Sequence, residues 1–199
     1  MIILTSEKLI IATPDGCDGS ALHVELCDRR GAYWIPQVNS IGDYDDFGVE
    51  VPRQWKDFDR AVLVRNPYTR LLALREKYNK FRASKSDSTT GVYAPLSLGE
   101  YVDKVKMLQV PLINDWAAGL EAYTQIHHES IEKDIRKLTG LRIQCPVEHF
   151  GPWRKRFEKL SPEQLIFLFE YLIGDIVKFG YTTKAIGPIE AQEALRGIF

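Results

Sequence analysis

Three stretches carry side chains able to hold an anion. Arg65 follows the apolar run Ala61-Val62-Leu63-Val64 and precedes Asn66-Pro67, and its guanidinium offers a fixed fork of donors suited to a phosphate. The alternative for Arg65 is a plain ion pair with a neighbouring carboxylate. Thr13-Pro14-Asp15-Gly16-Cys17-Asp18-Gly19-Ser20 follows a second apolar run; such a loop is either an anion nest at a helix start or a simple connection. It is not a Walker A motif, because Gly-x-x-x-x-Gly-Lys-[Ser/Thr] occurs nowhere in the chain, which disfavours a nucleotide kinase. In Cys145–Lys159, Phe150 and Trp153 lie beside Arg154, Lys155 and Arg156. Aromatic and basic side chains together can hold a purine and a phosphate; a packed Trp beside a solvated basic turn is the alternative.

The surrounding pattern supplies elements to position these groups. Ala61–Val64 is too short for a buried helix and fits a parallel strand covered on both faces. Asn66 is a good N-cap and Pro67 fits the first helical position, after which Leu71, Leu74, Tyr78 and Phe81 recur on one helical face. Lys8–Ala12 reads as a first strand feeding the Thr13–Ser20 loop and a helix with Leu22 and Leu26. Gly31–Ile35 reads as a further strand, Leu98–Val105 and the region of Trp116 as helical, and Ala122–His128 as a strand that sends His127 and His128 to opposite faces. Ser130–Leu138 has helical spacing and Gly140 at its C-cap, while Cys145–Lys159 reads as irregular. Ser161-Pro162-Glu163-Gln164 opens a helix by a capping box, with Leu165, Phe169, Leu172, Ile176 and Phe179 on one face before Gly180. Strand-loop-helix units in this order predict an α/β fold, a central parallel sheet flanked by helices. In such sheets ligands bind beyond the carboxyl ends of the strands, where Arg65 and the Thr13–Ser20 loop would sit.

The 199 residues are 45% hydrophobic and 27% charged, enough for a sizeable core, with one domain over 1–199 as the expectation. A net charge of -1 gives no bulk attraction to nucleic acid or membrane. The start has no signal-peptide pattern, and no run reaches membrane-spanning length. Cys17, Cys27 and Cys145 show no zinc spacing and read as free thiols of a reducing, cytoplasmic setting; no metal site is expected. Asp43, Asp45 and Asp46 lie in the loop Asn39–Gly48 and do not follow the calcium-loop spacing. Ser84–Gly91 reads as a mobile surface loop and candidate lid, and the chain from Thr182 as a tail with a short helix after Pro188.

VRNPYTRLLALREKY, beginning at Val64, is similar to the 3′-phosphate signature of sulfotransferases that use 3′-phosphoadenosine 5′-phosphosulfate, of the kind that sulfates carbohydrates. Tyr123–Gly140 resembles that family's strand-to-helix stretch, and Gly151–Tyr181 its Trp-containing basic loop and closing Asp-x-x-x-Phe-Gly-Tyr helix. The resemblance spans roughly residues 8–181, with 182–199 as a C-terminal tail. It implies a P-loop NTPase-like sulfotransferase architecture and transfer of a sulfuryl group to an acceptor hydroxyl, on a carbohydrate or small molecule. By the same resemblance, Thr13, Gly16, Cys17, Asp18, Gly19 and Ser20 would cradle the 5′-phosphate and sulfate. Arg65 would bind the 3′-phosphate, and Trp153, Arg154 and Lys155 would close over the nucleotide.

Two positions depart from the family. Asp15 stands where it has Lys, in a loop one residue longer, and Ala73 stands where it has a phosphate-binding Ser. In-line sulfuryl transfer depends on positioning and on stabilising charge on the transferred group, so Lys155 or another cation would have to replace the missing Lys. A base for the acceptor hydroxyl is expected from His23, with His149 second. The alternative is a sulfotransferase-like protein that has lost catalysis and serves as a binding module.

Overall fold

The computed structural model describes residues 1–30, 33–34, 55, 57–85, 94–108, 124–145 and 153–181. The chain divides into two compact units, one of Met1–Arg65 with Asp115–Glu148, the other of Asn66–Asn114 with His149–Phe199.

The first unit is α/β. Its strands are β1 (Ile2–Leu4), β2 (Leu9–Ala12), β3 (Tyr33–Trp34), β4 (Asp59–Val64) and β5 (Thr124–His127), in the sheet order β3-β1-β2-β4-β5. β2, β4 and β5 run parallel, with Ile11 opposite Ala61 and Ala61 opposite Thr124. The expected parallel arrangement holds for these three strands, while the sheet as a whole is mixed. β1 pairs antiparallel with β2 and with β3, because only a four-residue turn, Thr5–Lys8, joins β1 to β2 and a parallel pair needs a long crossover. Lys8 belongs to that turn and not to the strand: its φ of 49° is left-handed, and its N–H donates to the Thr5 carbonyl.

β4 shows why an unbroken apolar run makes a central strand. Ala61, Val62, Leu63 and Val64 are all buried, which alternation would not permit if one face were wet. Met1, Ile3 and Ile10 cluster with Trp55 and Phe58. Helix α1 (Gly19–Arg30) packs against β1 and contributes Leu22 and Leu26, both fully buried, each stabilising by about 1.5–3 kcal/mol. His128–Ser130 is a single 3-10 turn after β5, followed by α4 (Ile131–Thr139), which packs on β5 and ends on Gly140 at φ 75°.

The second unit is helical among its described residues: α2 (Pro67–Lys85), α3 (Leu98–Leu108), α5 (Trp153–Phe157) and α6 (Pro162–Lys178). α2, α3 and α6 pack on one another around Leu71, Leu72, Val102, Val105, Leu165, Leu168, Leu172 and Ile176. The Asn66 carboxamide caps α2 by accepting from the Tyr68 N–H at 3.0 Å. The Ser161 hydroxyl accepts from the Gln164 N–H at 3.2 Å, and the Gln164 side chain accepts from the Ser161 N–H at 3.2 Å, closing the capping box. Phe81 is 51% exposed rather than buried, since α2 continues for about two turns past Tyr78, its last residue packed on the core. Ser84 and Lys85 belong to α2 rather than to a loop, and Trp153–Phe157 is helical rather than irregular. The Asn39–Gly48 loop, Trp116, Phe150, the rest of Ser84–Gly91 and the tail from Thr182 lie outside the described residues.

Candidate functional site

The loop after β2 is built by turn chemistry. The Cys17 N–H donates to the Pro14 carbonyl at 3.1 Å, and Gly16 has φ 80°. That is the arrangement of a turn whose third residue must be left-handed, with Pro14 opening it and Asp15 second. Asp18 is also left-handed, at φ 56°, a conformation Asp tolerates better than most residues. Its carbonyl accepts from the Ala21 and Leu22 N–H groups and so starts α1. Gly19 and Ser20, expected in the loop, form the first turn of that helix.

Gly19 is required by packing rather than by its backbone angle. A Cβ there would lie 2.4 Å from Thr13 Cβ and 2.9 Å from Thr13 Cγ2 and Oγ1, so only a hydrogen lets the helix start press against the end of β2. Thr13 is buried, and its Oγ1 accepts from the Met1 nitrogen at 3.1 Å. Cys17 is fully buried, and Ser20 is exposed.

Arg65, at the carboxyl end of β4, is only 1% exposed. Its Nη1 donates to the Gly16 carbonyl and to Asp18 Oδ2, both at 2.9 Å. His128, at the carboxyl end of β5, brings Nε2 to the same Asp18 oxygen at 2.8 Å. Asp134 fixes the turn that presents His128: its Oδ2 accepts from the His127 N–H and from the Ser130 hydroxyl, both at 2.9 Å. Burial raises the Asp18 pKa, and the His128 hydrogen bond and Arg65 charge outweigh it, so the carboxyl is held below its usual range. Three adjacent parallel strands thus deliver Asp18, Arg65 and His128 to one cluster. The ion pair that stands as the alternative to an anion site at Arg65 is present, and its partner is Asp18.

In the sequence His128 is only one of two neighbouring histidines, and nothing local singles it out. Its partner, Asp18, is 110 residues away. His23, the first candidate base, lies half-buried on α1, one turn from its start. Burial, then the charge of the chain's amino group, lower its pKa and favour the neutral imidazole. His149 lies outside the described residues.

Trp153, Arg154 and Lys155 belong to the second unit. The Trp153 ring stacks on Tyr68 at 5.6 Å and meets Phe157 edge-on at 6.1 Å, and the Arg154 guanidinium lies 5.4 Å from its centre. The aromatic part of the expected nucleotide clamp is therefore packed in its own unit, while Arg154 and Lys155 are exposed. Burial pushes the Tyr68 phenol up to about 12. Ala73 lies in the hydrophobic core of this unit.

A feature that no sequence pattern announces is a cavity of about 810 Å3 beside α4. Lys133, Arg136, Lys137 and Arg142 line it, together with Glu132 as the opposing charge and the buried Ile143. None of Asp18, Arg65 and His128 contributes to it. Among the described residues, no cluster of His, Cys, Asp and Glu could hold a metal ion, and no helix is long and apolar enough to cross a membrane. Comparison with models of known protein families, with curated proteins and with solved structures finds no match to this chain.

Proposed function

We propose that this protein is a sulfotransferase, moving a sulfuryl group from 3′-phosphoadenosine 5′-phosphosulfate to an acceptor hydroxyl on a carbohydrate or small molecule, on a P-loop-like scaffold in the cytoplasm. The observation that carries the reading is the convergence of the β2–α1 loop with Arg65 and His128 at the carboxyl ends of three adjacent parallel strands. That is where open α/β sheets take ligands. The ordered motifs Val64–Tyr78, Tyr123–Gly140 and Gly151–Tyr181 support it from the sequence.

In this reading the loop and the start of α1 receive the 5′ end of the donor, where backbone N–H groups and the helix dipole favour an anion. Arg65 acts through the loop, holding the Gly16 carbonyl and the Asp18 carboxylate. His23, shifted toward its neutral form, is the proton acceptor for the acceptor hydroxyl.

Isothermal titration with 3′-phosphoadenosine 5′-phosphate is the test. Saturable binding is expected, undiminished in His23→Gln, while transfer from labelled donor falls in that variant; absence of binding to the unaltered protein refutes the reading. A second reading, a sulfotransferase-like module without catalysis, is favoured by the Asp18 carboxylate already engaging Arg65. Nucleotide binding without transfer to any acceptor would select it.

A further inference from the structure

We propose that Arg65 and His128 form a binding site for a small oxyanion, and that the Asp18 carboxylate occupies it as an internal ligand. Two nitrogen donors that follow the ends of neighbouring strands, Arg65 Nη1 after β4 and His128 Nε2 after β5, meet on one oxygen, Asp18 Oδ2, at 2.9 and 2.8 Å. Those distances suit charge-assisted hydrogen bonds to any carboxylate, sulfate or phosphate oxygen.

The exposures show which group faces water. The Arg65 and His128 side chains are 1% and 4% exposed, whereas that of Asp18 is 26% exposed. The carboxylate therefore lies on the solvent side of two buried donors, as a plug lies in an opening. Each donor has a tie besides the plug: Arg65 also donates to the Gly16 carbonyl of the same loop, and the backbone turn that carries His128 is held by Asp134 through the His127 N–H and the Ser130 hydroxyl. Removing the carboxylate should leave the donors in place with an oxyanion-sized gap before them.

In the unaltered protein a tethered carboxylate outcompetes a free anion through its high effective concentration. The ligand class is a small oxyanion, with inorganic sulfate as the probe. No nucleotide enters the proposal, so it stands or falls separately from the donor reading.

The test uses the backbone of Asp18. At φ 56°, Asp18→Gly removes the carboxylate without strain, because glycine adopts the left-handed region freely. Calorimetric titration with sodium sulfate, at an ionic strength matched with sodium chloride, should show sulfate binding to Asp18→Gly at least about tenfold more tightly than to the unaltered protein. The His128 imidazole 15N resonances should move during that titration. Asp18→Asn keeps the side-chain shape and also tolerates the left-handed backbone; it should show a smaller gain and serves if the glycine variant does not fold. Sulfate binding in both variants no tighter than in the unaltered protein overturns the proposal, as does a gain in affinity that leaves the His128 resonances unmoved.

Discussion

Gly19→Ala is a sharp test of how the candidate site is built. The added Cβ would lie 2.4 Å from Thr13 Cβ and 2.9 Å from two further Thr13 atoms. Real carbon pairs approach no closer than roughly 3.4 Å without strain, so the pair is short by about 1 Å. The nearest obstacle is the Cβ atom itself, which no rotamer change can move. The start of α1 must shift away from the end of β2, and overpacking of this kind costs about 1–3 kcal/mol. Alanine offsets part of that cost through its helix propensity, by up to about 1 kcal/mol. With the full offset the net expectation is a loss of about 0–2 kcal/mol, a fall in melting temperature of up to about 8 °C for a chain of this size. Thr13→Gly removes the obstructing atoms, so in that background Gly19→Ala should become neutral or stabilising. Melting temperatures of the four proteins in the cycle provide the assay. If Gly19→Ala costs the same with and without the Thr13 side chain, the close approach is not the reason for the glycine and the reasoning fails.

Asp18 makes stability depend on pH with a definite sign. Its folded pKa lies below the ordinary carboxylate value, so the contribution is complete above about pH 4 and is lost as pH falls through the folded pKa. Urea midpoints measured from pH 6 down to pH 2 should fall less steeply for Asp18→Asn than for the unaltered protein. The Cys145 thiol is pushed up to about 11, chiefly by burial and then by the Glu25, Asp18 and Glu132 charges. It and the fully buried Cys17 should therefore react with iodoacetamide at pH 8 far more slowly in the native state than in urea, as read by mass spectrometry of the labelled peptides. Ser161→Ala removes the acceptor of the Gln164 N–H and should cost about 1 kcal/mol, seen as a lower melting temperature.

The parts of the fold legible in the sequence are those written in local pattern. Ala61–Val64 has a composition that only a doubly covered strand explains, and it is one. Ser161, Pro162 and Gln164 spell a helix start whose hydrogen bonds are all present. β1 is not legible, because three apolar residues give no periodicity and its pairing comes from the turn that follows. Phe81 misleads because helical spacing shows which face a residue shares but not where the core ends.

At the site, Arg65 is legible as a residue at a strand's carboxyl end, and its ion pair is one of two options open to it there. Asp18 is legible only as part of a loop. That Asp18 takes Arg65 and His128 on one oxygen depends on residues 47 and 110 positions away, a relation no local pattern encodes. The closed packing of Trp153 on Tyr68 and Phe157 is tertiary in the same sense.

In the proposed function the β2–α1 loop receives the 5′ end of the donor nucleotide. Titrating 3′-phosphoadenosine 5′-phosphate into isotopically labelled protein and following backbone amide resonances tests it most directly. Saturable shifts are expected at Gly16, Cys17, Asp18, Gly19 and Ser20, accompanied by the His128 side chain. Resonances that stay fixed at these positions while the nucleotide reaches millimolar concentration would contradict it.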